Sequence, residues 1–158
     1  MSEAPDPAMR HYGELTMRLS IASQLFTSRM ETLLESRGLT VAQFGILNHL
    51  ARLQGADRQA RPLRISDIAS AVEVNQPAVT KAVAKFEGMG LVTTEASPDD
   101  RRARLVRIAP SGIGLLVELR SLFGPDVRAW STLWSPEEVD RFNRDLEKLA
   151  RWLDANRL

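Results

Sequence analysis

The sequence predicts a mainly α-helical fold that contains one small β-hairpin. Three observations lead to this prediction. Apolar residues recur at helical spacing near both ends of the chain. Two short helical segments lie close together between Ile65 and Met89. Two segments rich in β-branched residues follow them, joined by the polar segment SPDDRRAR. We therefore expect a compact central module between longer terminal helices.

The composition limits the classes of protein that the chain can belong to. Its 158 residues are 44% hydrophobic and 26% charged, which is ordinary for a globular protein. The sequence has no run of about 18 apolar residues, as a membrane span requires, and no basic-then-apolar secretory signal at its N-terminus. We therefore expect a cytoplasmic protein. Because cysteine is absent and only two histidines occur, we expect no metal site, redox switch or cofactor.

The first predicted helix runs from about Met9 to Arg37. The prolines within residues 1 to 8 indicate a frayed tail before it, and Gly38 is a suitable residue to end it. Its apolar side chains form one stripe, which consists of Leu15, Leu19, Ala22, Phe26 and Leu33.

A second helix, VAQFGILNHLARL, is predicted to follow with Thr40 as its N-cap. Helical spacing places three apolar residues on one of its faces: Phe44, Leu47 and Leu50. The polar segment QGADRQARP predicts a loop, and a short strand is expected around Leu63 to Ile65.

The central pair of helices is marked by its end residues. Ser66 is a good N-cap for the helix DIASAVE, and a turn is predicted at Glu73 to Asn75. The next helix is predicted from about Gln76 to Met89, followed by Gly90. Its first turn contains Pro77, and its cap is either Asn75 or Gln76. The first of these helices should bury Ile68, Ala69 and Val72.

The hairpin strands are predicted at Leu91 to Ala96 and Leu105 to Ile108. Ser111 is expected to cap a helix that continues to about Phe123. Gly124 and Pro125 should interrupt that helix before it resumes through Trp130 to Leu133.

The last helix begins with the sequence SPEE, in which Ser135 and Glu138 form a capping box. A heptad-like seam follows, formed by Val139, Phe142, Leu146, Leu149 and Leu153. Such seams usually belong to the core of their own chain. Because both termini carry one and the central module has its own core, we favour a helical bundle between two copies related by a twofold axis.

These elements divide the chain into three predicted parts. Residues 1–38 would form an N-terminal dimerisation helix, residues 39–110 the central module, and residues 111–158 the C-terminal dimerisation helices. Residues 61 to 110 hold eight Lys/Arg against six Asp/Glu, so the small positive excess of the chain falls on the central module. Charge alone does not identify a nucleic-acid-binding protein.

The second short helix has an outward face suited to DNA. Val79, Val83 and Phe86 should face the core. Short polar side chains on the opposite face can bond base edges, apolar ones can contact a thymine methyl, and lysines suit phosphate or guanine. This face consists of Gln76, Pro77, Thr80, Lys81, Ala84 and Lys85. The alternative is the solvated side of an ordinary amphipathic helix.

The hairpin tip carries Arg101, Arg102 and Arg104 within four positions. Arginines at such a tip can enter the narrow, electronegative minor groove of DNA. The carboxylates of Asp99 and Asp100 stand beside them, and a carboxylate can hold a guanidinium in a fixed fork. The alternative is a solvated turn, but the helix pair directly before the hairpin favours DNA binding.

At these residues the chain resembles the MarR family of winged helix-turn-helix transcriptional regulators. The resemblance rests on ISDIASAVEVNQPAVTKAVAKFEGMGLV, on SPDDRRARLVRIAPSG and on the late SPEE. Asp100, Arg102 and Gly112 match the wing pattern of the family. Where the family usually has Leu-Thr after the wing, this chain has Ile108 and Ala109, which removes a capping hydroxyl that Ser111 would replace.

The resemblance implies a ligand-responsive repressor that binds a pseudo-palindromic double-stranded DNA operator as a homodimer. Arg102 would be the minor-groove arginine, and Asp100 would position it. Arg101 and Arg104 would contact phosphates, as would Ser66 at the start of its helix. The complete expected DNA-binding set is Ser66, Asn75, Gln76, Pro77, Thr80, Lys81, Lys85, Asp100, Arg101, Arg102 and Arg104.

Effectors of this family are often small aromatic or anionic molecules. The candidate contacts are His11, Tyr12, His49 and Trp130. For each of them, the sequence favours the alternative of a packed or surface residue. No glycine-rich phosphate loop, paired-ligand motif or nucleophile elbow occurs, so we expect no enzymatic activity. The alternative function is a winged-helix scaffold that binds proteins and not DNA.

Overall fold

A computed structural model describes residues 7–55, 61–100 and 102–157. These residues form seven helices and three strands, which confirms the mainly α-helical fold with one small hairpin. The elements are α1 (Pro7–Glu35), α2 (Val41–Gln54), β1 (Leu63–Arg64), α3 (Ile65–Val72), α4 (Gln76–Gly88), β2 (Val92–Ala96), β3 (Arg104–Ile108), α5 (Pro110–Leu122), α6 (Gly124–Trp130) and α7 (Pro136–Ala155).

The corner between α1 and α2 is formed as predicted. Gly38 has φ +63°, a left-handed conformation that glycine adopts at little cost. The Thr40 hydroxyl accepts a hydrogen bond from the Gln43 backbone N–H, and the Gln43 side chain accepts one from the Thr40 N–H, both at 3.2 Å. This capping box satisfies two of the free donors at the start of α2.

The start of α3 differs from the prediction. Arg64 occupies the N-cap position and makes no side-chain capping bond, while Ser66 lies inside the helix. Strand β1 leads directly into α3, and burial of Ile65 draws that residue into the first turn. Ser66 is therefore not the N-cap.

The start of α4 resolves the choice between two possible caps. The Asn75 side chain accepts a hydrogen bond of 2.9 Å from the Ala78 N–H, so Asn75 is the N-cap. Pro77 lies in the first turn, where a backbone N–H has no intrahelical partner. Gly90 follows the helix with φ +70°.

The three strands form one antiparallel sheet in the order β1-β3-β2. Val92 pairs with Ile108 and Ala96 with Arg104 across the hairpin. Strand β1 has two residues, so it covers only part of the outer side of β3. The buried side chain of Gln54 continues this pairing. Its amide donates to the Val106 carbonyl at 2.9 Å and accepts from the Ile108 N–H at 2.7 Å.

The start of α5 also differs from the prediction. The Ala109 carbonyl accepts the first helical hydrogen bond, from the Ile113 N–H at 3.2 Å. Ser111 is the second residue of α5, and its hydroxyl donates to the Gly90 carbonyl at 2.5 Å. Ser111 therefore joins α5 to the turn after α4 and does not replace the missing cap.

Gly112 packs against the same region without room for a side chain. A Cβ atom there would overlap the Leu91 carbonyl oxygen and lie 2.9 Å from Cγ1 of Ile108. Close approach of α5 to the start of the hairpin therefore requires glycine at this position.

The chain divides into two compact units, one up to Glu118 and one from Leu119 onward. The core of the first unit is apolar and includes Leu34, Ile46, Leu47, Leu50, Ile68, Phe86 and Val106. Burial of Ile68 and Ala69 agrees with the prediction, whereas Val72 is only half-buried. The predicted three-part division is a different partition and stays a prediction.

The second unit contains the predicted helix break and the predicted capping box. Helix α6 begins at Gly124 but ends at Trp130, and turns occupy the residues up to Leu133 that were expected to be helical. The Glu138 carboxylate accepts from the Ser135 N–H at 2.8 Å, and the Ser135 hydroxyl accepts from the Glu138 N–H at 3.3 Å.

The two predicted seams are largely exposed to solvent. On α1, Leu15 is 57% and Phe26 is 44% exposed. On α7, Phe142 is 57% and Leu153 is 52% exposed.

Across the described residues, no helix combines the length and the apolar character needed to cross a membrane.

Candidate nucleic-acid interface

Helix α4 has one buried face and one exposed face. Val79, Val83 and Phe86 are buried at 3% exposure or less. The opposite side exposes the residues that helical spacing predicts: Gln76, Pro77, Thr80, Lys81, Ala84 and Lys85. The packing of the buried face fixes the rotation of the helix, and this presents the polar side chains outward.

A cleft lies between the start of α4 and the hairpin. We call it the wing cleft; it is lined by Arg64, Ile65, Ser66, Gln76, Thr80, Arg102, Ala103 and Arg104. Five of these residues belong to the predicted DNA-binding set. The described lining contains three arginines, two hydroxyl groups and one amide, and it contains no carboxylate. Such a donor-rich surface suits the phosphate oxygens and base edges of DNA.

The hairpin tip is ordered by backbone hydrogen bonds. The Asp100 carboxylate accepts a hydrogen bond of 3.0 Å from the Arg102 backbone N–H. The Asp100 carbonyl accepts from the Ala103 N–H at 2.9 Å, and the Ala103 carbonyl accepts from the Ser97 N–H at 2.9 Å. Asp100 therefore fixes the backbone of Arg102, whereas the sequence suggested a fork with the guanidinium. Arg101 lies outside the described residues.

Arg104 contacts the protein itself. Its guanidinium lies 3.3 Å from a carboxylate oxygen of Glu87 on α4 and also donates to the hydroxyl of Thr94 on β2. The Thr94 hydroxyl donates to the same carboxylate. This group of three residues joins the hairpin to α4. The expected contact of Arg104 with a phosphate stays a prediction.

The two lysines of α4 also differ in their surroundings. The Lys85 ammonium donates to the Gly38 carbonyl and to the Gln43 side chain. Lys81 is exposed and borders a groove between α2 and α4 that also includes Thr40 and Ala78. Lys81 therefore keeps the outward position predicted for both residues, while Lys85 is drawn toward the corner between α1 and α2.

Arg64 is a residue of the wing cleft that the sequence analysis missed. It occupies the N-cap position of α3, where Ser, Thr, Asp or Asn would be usual. A basic residue at this junction was the available signal, but the nearby Ser66 offered a better cap by local preference. In the structure Arg64 lines the cleft together with Ser66 and Gln76.

The candidate effector residues are spread over both units. In the first unit, His11 and Tyr12 are exposed on α1, and His49 is half-buried on α2. Burial lowers the pKa of His49, and the charge of the nearby Arg52 lowers it further. In the second unit, Trp130 is 40% exposed. None of the four lines the wing cleft, and their proposed role stays a prediction.

Comparison with known proteins finds a family that resembles the central part of the chain. A model of the MarR family matches residues 37–103, which include α2, the helix pair and the hairpin tip. Within that range the chain is similar to the MarR family. This match agrees with the resemblance inferred from the helix pair and the wing, and solved structures of MarR-family regulators share the winged helix-turn-helix fold.

Two proteins similar to this chain are described as transcriptional regulators. It is 26% identical over 137 residues to the HTH-type transcriptional regulator MhqR of Bacillus subtilis, covering 87% of this chain and 90% of that protein. It is 27% identical over 94 residues to a putative transcriptional regulatory protein for the hcr operon of Thauera aromatica, covering 60% of this chain. That match spans only 52% of the Thauera protein.

A solved complex of Staphylococcus aureus MepR with DNA has the same fold. The two chains superpose with a TM-score of 0.65 over 88% of this chain and 97% of MepR, at 22% sequence identity.

Proposed function

We propose that this chain is a sequence-specific, double-stranded DNA-binding transcriptional regulator of the MarR family. The observation that carries the proposal is the wing cleft, where the N-terminal turn of α4 meets the hairpin tip. In a helix-turn-helix, the N-terminal residues of the second helix contact base edges in the major groove. The adjacent hairpin can then insert an arginine into the neighbouring minor groove.

Each part of the cleft has a proposed role. Gln76 and Thr80 contact base edges from the first two turns of α4. Arg102 enters the minor groove, because Asp100 holds its backbone at the tip of the hairpin. Ser66 donates to a phosphate from the first turn of α3. The names of the related proteins, which are transcriptional regulators, support the proposed regulatory function.

We further propose that the chain acts as a ligand-responsive repressor and a homodimer. The exposed seams on α1 and on α7 would be buried by a second copy, and a twofold dimer requires a pseudo-palindromic operator. Half-sites would lie about one helical turn apart. A small aromatic or anionic effector would act through coupling between its site and the DNA contacts, with His11, Tyr12, His49 and Trp130 as candidate contacts. The proposal includes no enzymatic activity, and it places the protein in the cytoplasm.

The experiment that tests DNA binding is selection of duplexes from a random pool with the full chain. Affinity for the selected duplex is then measured from about 50 to 200 mM salt. Contacts to several phosphates make log K fall steeply and linearly with log salt. Arg102→Ala should weaken binding while the fold, measured by circular dichroism, stays intact. The control is Arg144→Ala on α7, which removes the same charge from a residue that does not line the wing cleft.

Two outcomes would favour the alternative function, a winged-helix scaffold that binds proteins. The first is that no duplex is selected. The second is an affinity that does not depend on salt, since contacts made without phosphates release few counterions.

A further inference from the structure

We infer that Arg64 binds a DNA backbone phosphate in the wing cleft, which makes it a second cationic contact beside Arg102 of the hairpin. The inference rests on the proposed DNA binding. Arg64 ends β1 and borders the cleft together with Ser66 and Arg102. A phosphate lying between α3 and the hairpin would meet all three side chains.

The charges around Arg64 leave it available for a ligand. Arg104, the neighbouring cation in the cleft, is paired with Glu87. Among the described residues, the Arg64 guanidinium forms no hydrogen bond and no ion pair. Arg64 also borders a second cleft that contains Asp67 and Glu95, and it forms no ion pair with either carboxylate. Arg64 and Arg102 therefore provide the uncompensated positive charge of the wing cleft.

The position of Arg64 is unfavourable for the free protein. It is the N-cap of α3, where Ser, Thr, Asp and Asn stabilise a helix by accepting a backbone hydrogen bond. Arginine cannot accept one, and its positive charge lies at the positive end of the helix dipole. A residue that breaks a local rule of stability without gain in the free protein is expected at a functional site. A bound phosphate would offset both disadvantages.

The test uses three variants of the full chain and two measurements. Arg64→Ser should cap α3 and raise the Tm by about 2–4 °C. The same variant should make the negative slope of log K against log salt less steep, by about one unit for each bound protomer. If two protomers bind, the ratio of the affinity of the unmodified chain to that of Arg64→Ser should fall about 12-fold as salt rises from about 50 to about 200 mM. Arg64→Lys should keep the slope, and Arg144→Gln should leave both quantities unchanged.

The outcomes separate this inference from the proposed function. If the unmodified chain binds no duplex, the proposed function fails and the inference fails with it. If the unmodified chain binds with a steep salt dependence and Arg64→Ser has the same slope, only the assignment of Arg64 is wrong. A change in base preference, in place of a uniform loss over all duplexes, would also overturn it, because a phosphate contact carries no sequence information.

Discussion

The Lys85 ammonium lies 2.5 Å from the Gly38 carbonyl oxygen, although the two residues are 47 positions apart. The same nitrogen lies 3.1 Å from the Gln43 side-chain oxygen. Lys85 therefore binds the second half of α4 to the corner between α1 and α2. A cation at this corner also interacts favourably with the negative end of the α1 dipole. The first half of α4, which carries Gln76 and Thr80, is left exposed for DNA.

This contact predicts that Lys85 contributes to stability more than to DNA affinity. Lys85→Gln should lower the free energy of unfolding by about 0.5–1 kcal/mol, because an exposed charged hydrogen bond contributes about that much. It should leave the salt dependence of DNA binding unchanged. Lys81→Gln is the matched control on the same helix, and it should show the opposite pattern. Urea unfolding and DNA titration at several salt concentrations measure both effects. Equal loss of salt dependence in the two variants would contradict the contact.

The group formed by Glu87, Thr94 and Arg104 predicts energetic coupling between α4 and the hairpin. Glu87→Ala and Arg104→Ala should each weaken DNA binding, because the hairpin loses its fixed angle to α4. The double variant should be hardly worse than either single one. We expect a coupling of about 0.5–1 kcal/mol in a double-mutant cycle on binding free energy. Additive losses would instead show that Arg104 contacts a phosphate directly.

The hydrogen bond from the Arg102 backbone to Asp100 predicts which property of Asp100 matters. Asn also offers a side-chain oxygen to that N–H, so Asp100→Asn should keep the turn and nearly all DNA affinity. Asp100→Ala removes the acceptor and should weaken binding by about 1 kcal/mol. Affinity measurements on both variants with one duplex are sufficient. If Asn weakens binding as much as Ala does, the negative charge is what matters, as a fork with the guanidinium would require.

Local sequence preferences predicted the elements whose ends are determined by neighbouring residues. The N-cap at Thr40 and the capping box at Ser135 depend on residues at most three positions away, and the exposed face of α4 follows from its helical spacing. Both features are local, so they could be derived without the tertiary structure. The resemblance to the MarR family added the wing pattern at Asp100, Arg102 and Gly112.

Contacts that the sequence does not show arise where a distant group competes for the same side chain. Ser111 is a good cap by local preference, but its hydroxyl reaches the Gly90 carbonyl, 21 positions away. Lys85 and Arg104 have long side chains that can choose among several partners, and sequence spacing does not show which partner is near. Arg64 was missed for the same reason, because its proposed role depends on the wing cleft, which forms only when the chain folds.

The buried side chain of Gln54 predicts the largest effect on stability. It provides the hydrogen-bond partners that the short strand β1 cannot give to β3, at the Val106 carbonyl and the Ile108 N–H. Gln54→Leu has a similar volume but leaves both backbone groups buried without a partner. Each such group costs about 1–3 kcal/mol, so we expect a loss of about 2–4 kcal/mol in the free energy of unfolding. Urea unfolding measures this loss, and hydrogen exchange of the Ile108 amide locates it.

A matched control is Gln76→Leu on the exposed face of α4, which should change the free energy of unfolding by less than about 0.5 kcal/mol. A second variant, Gln54→Glu, keeps an acceptor for the Ile108 N–H but loses the donor to the Val106 carbonyl. It should be destabilised at neutral pH, where its carboxylate faces that carbonyl oxygen, and partly recover at low pH, where a protonated carboxyl can donate. Unchanged exchange of the Ile108 amide in Gln54→Leu would show that β3 does not depend on this side chain.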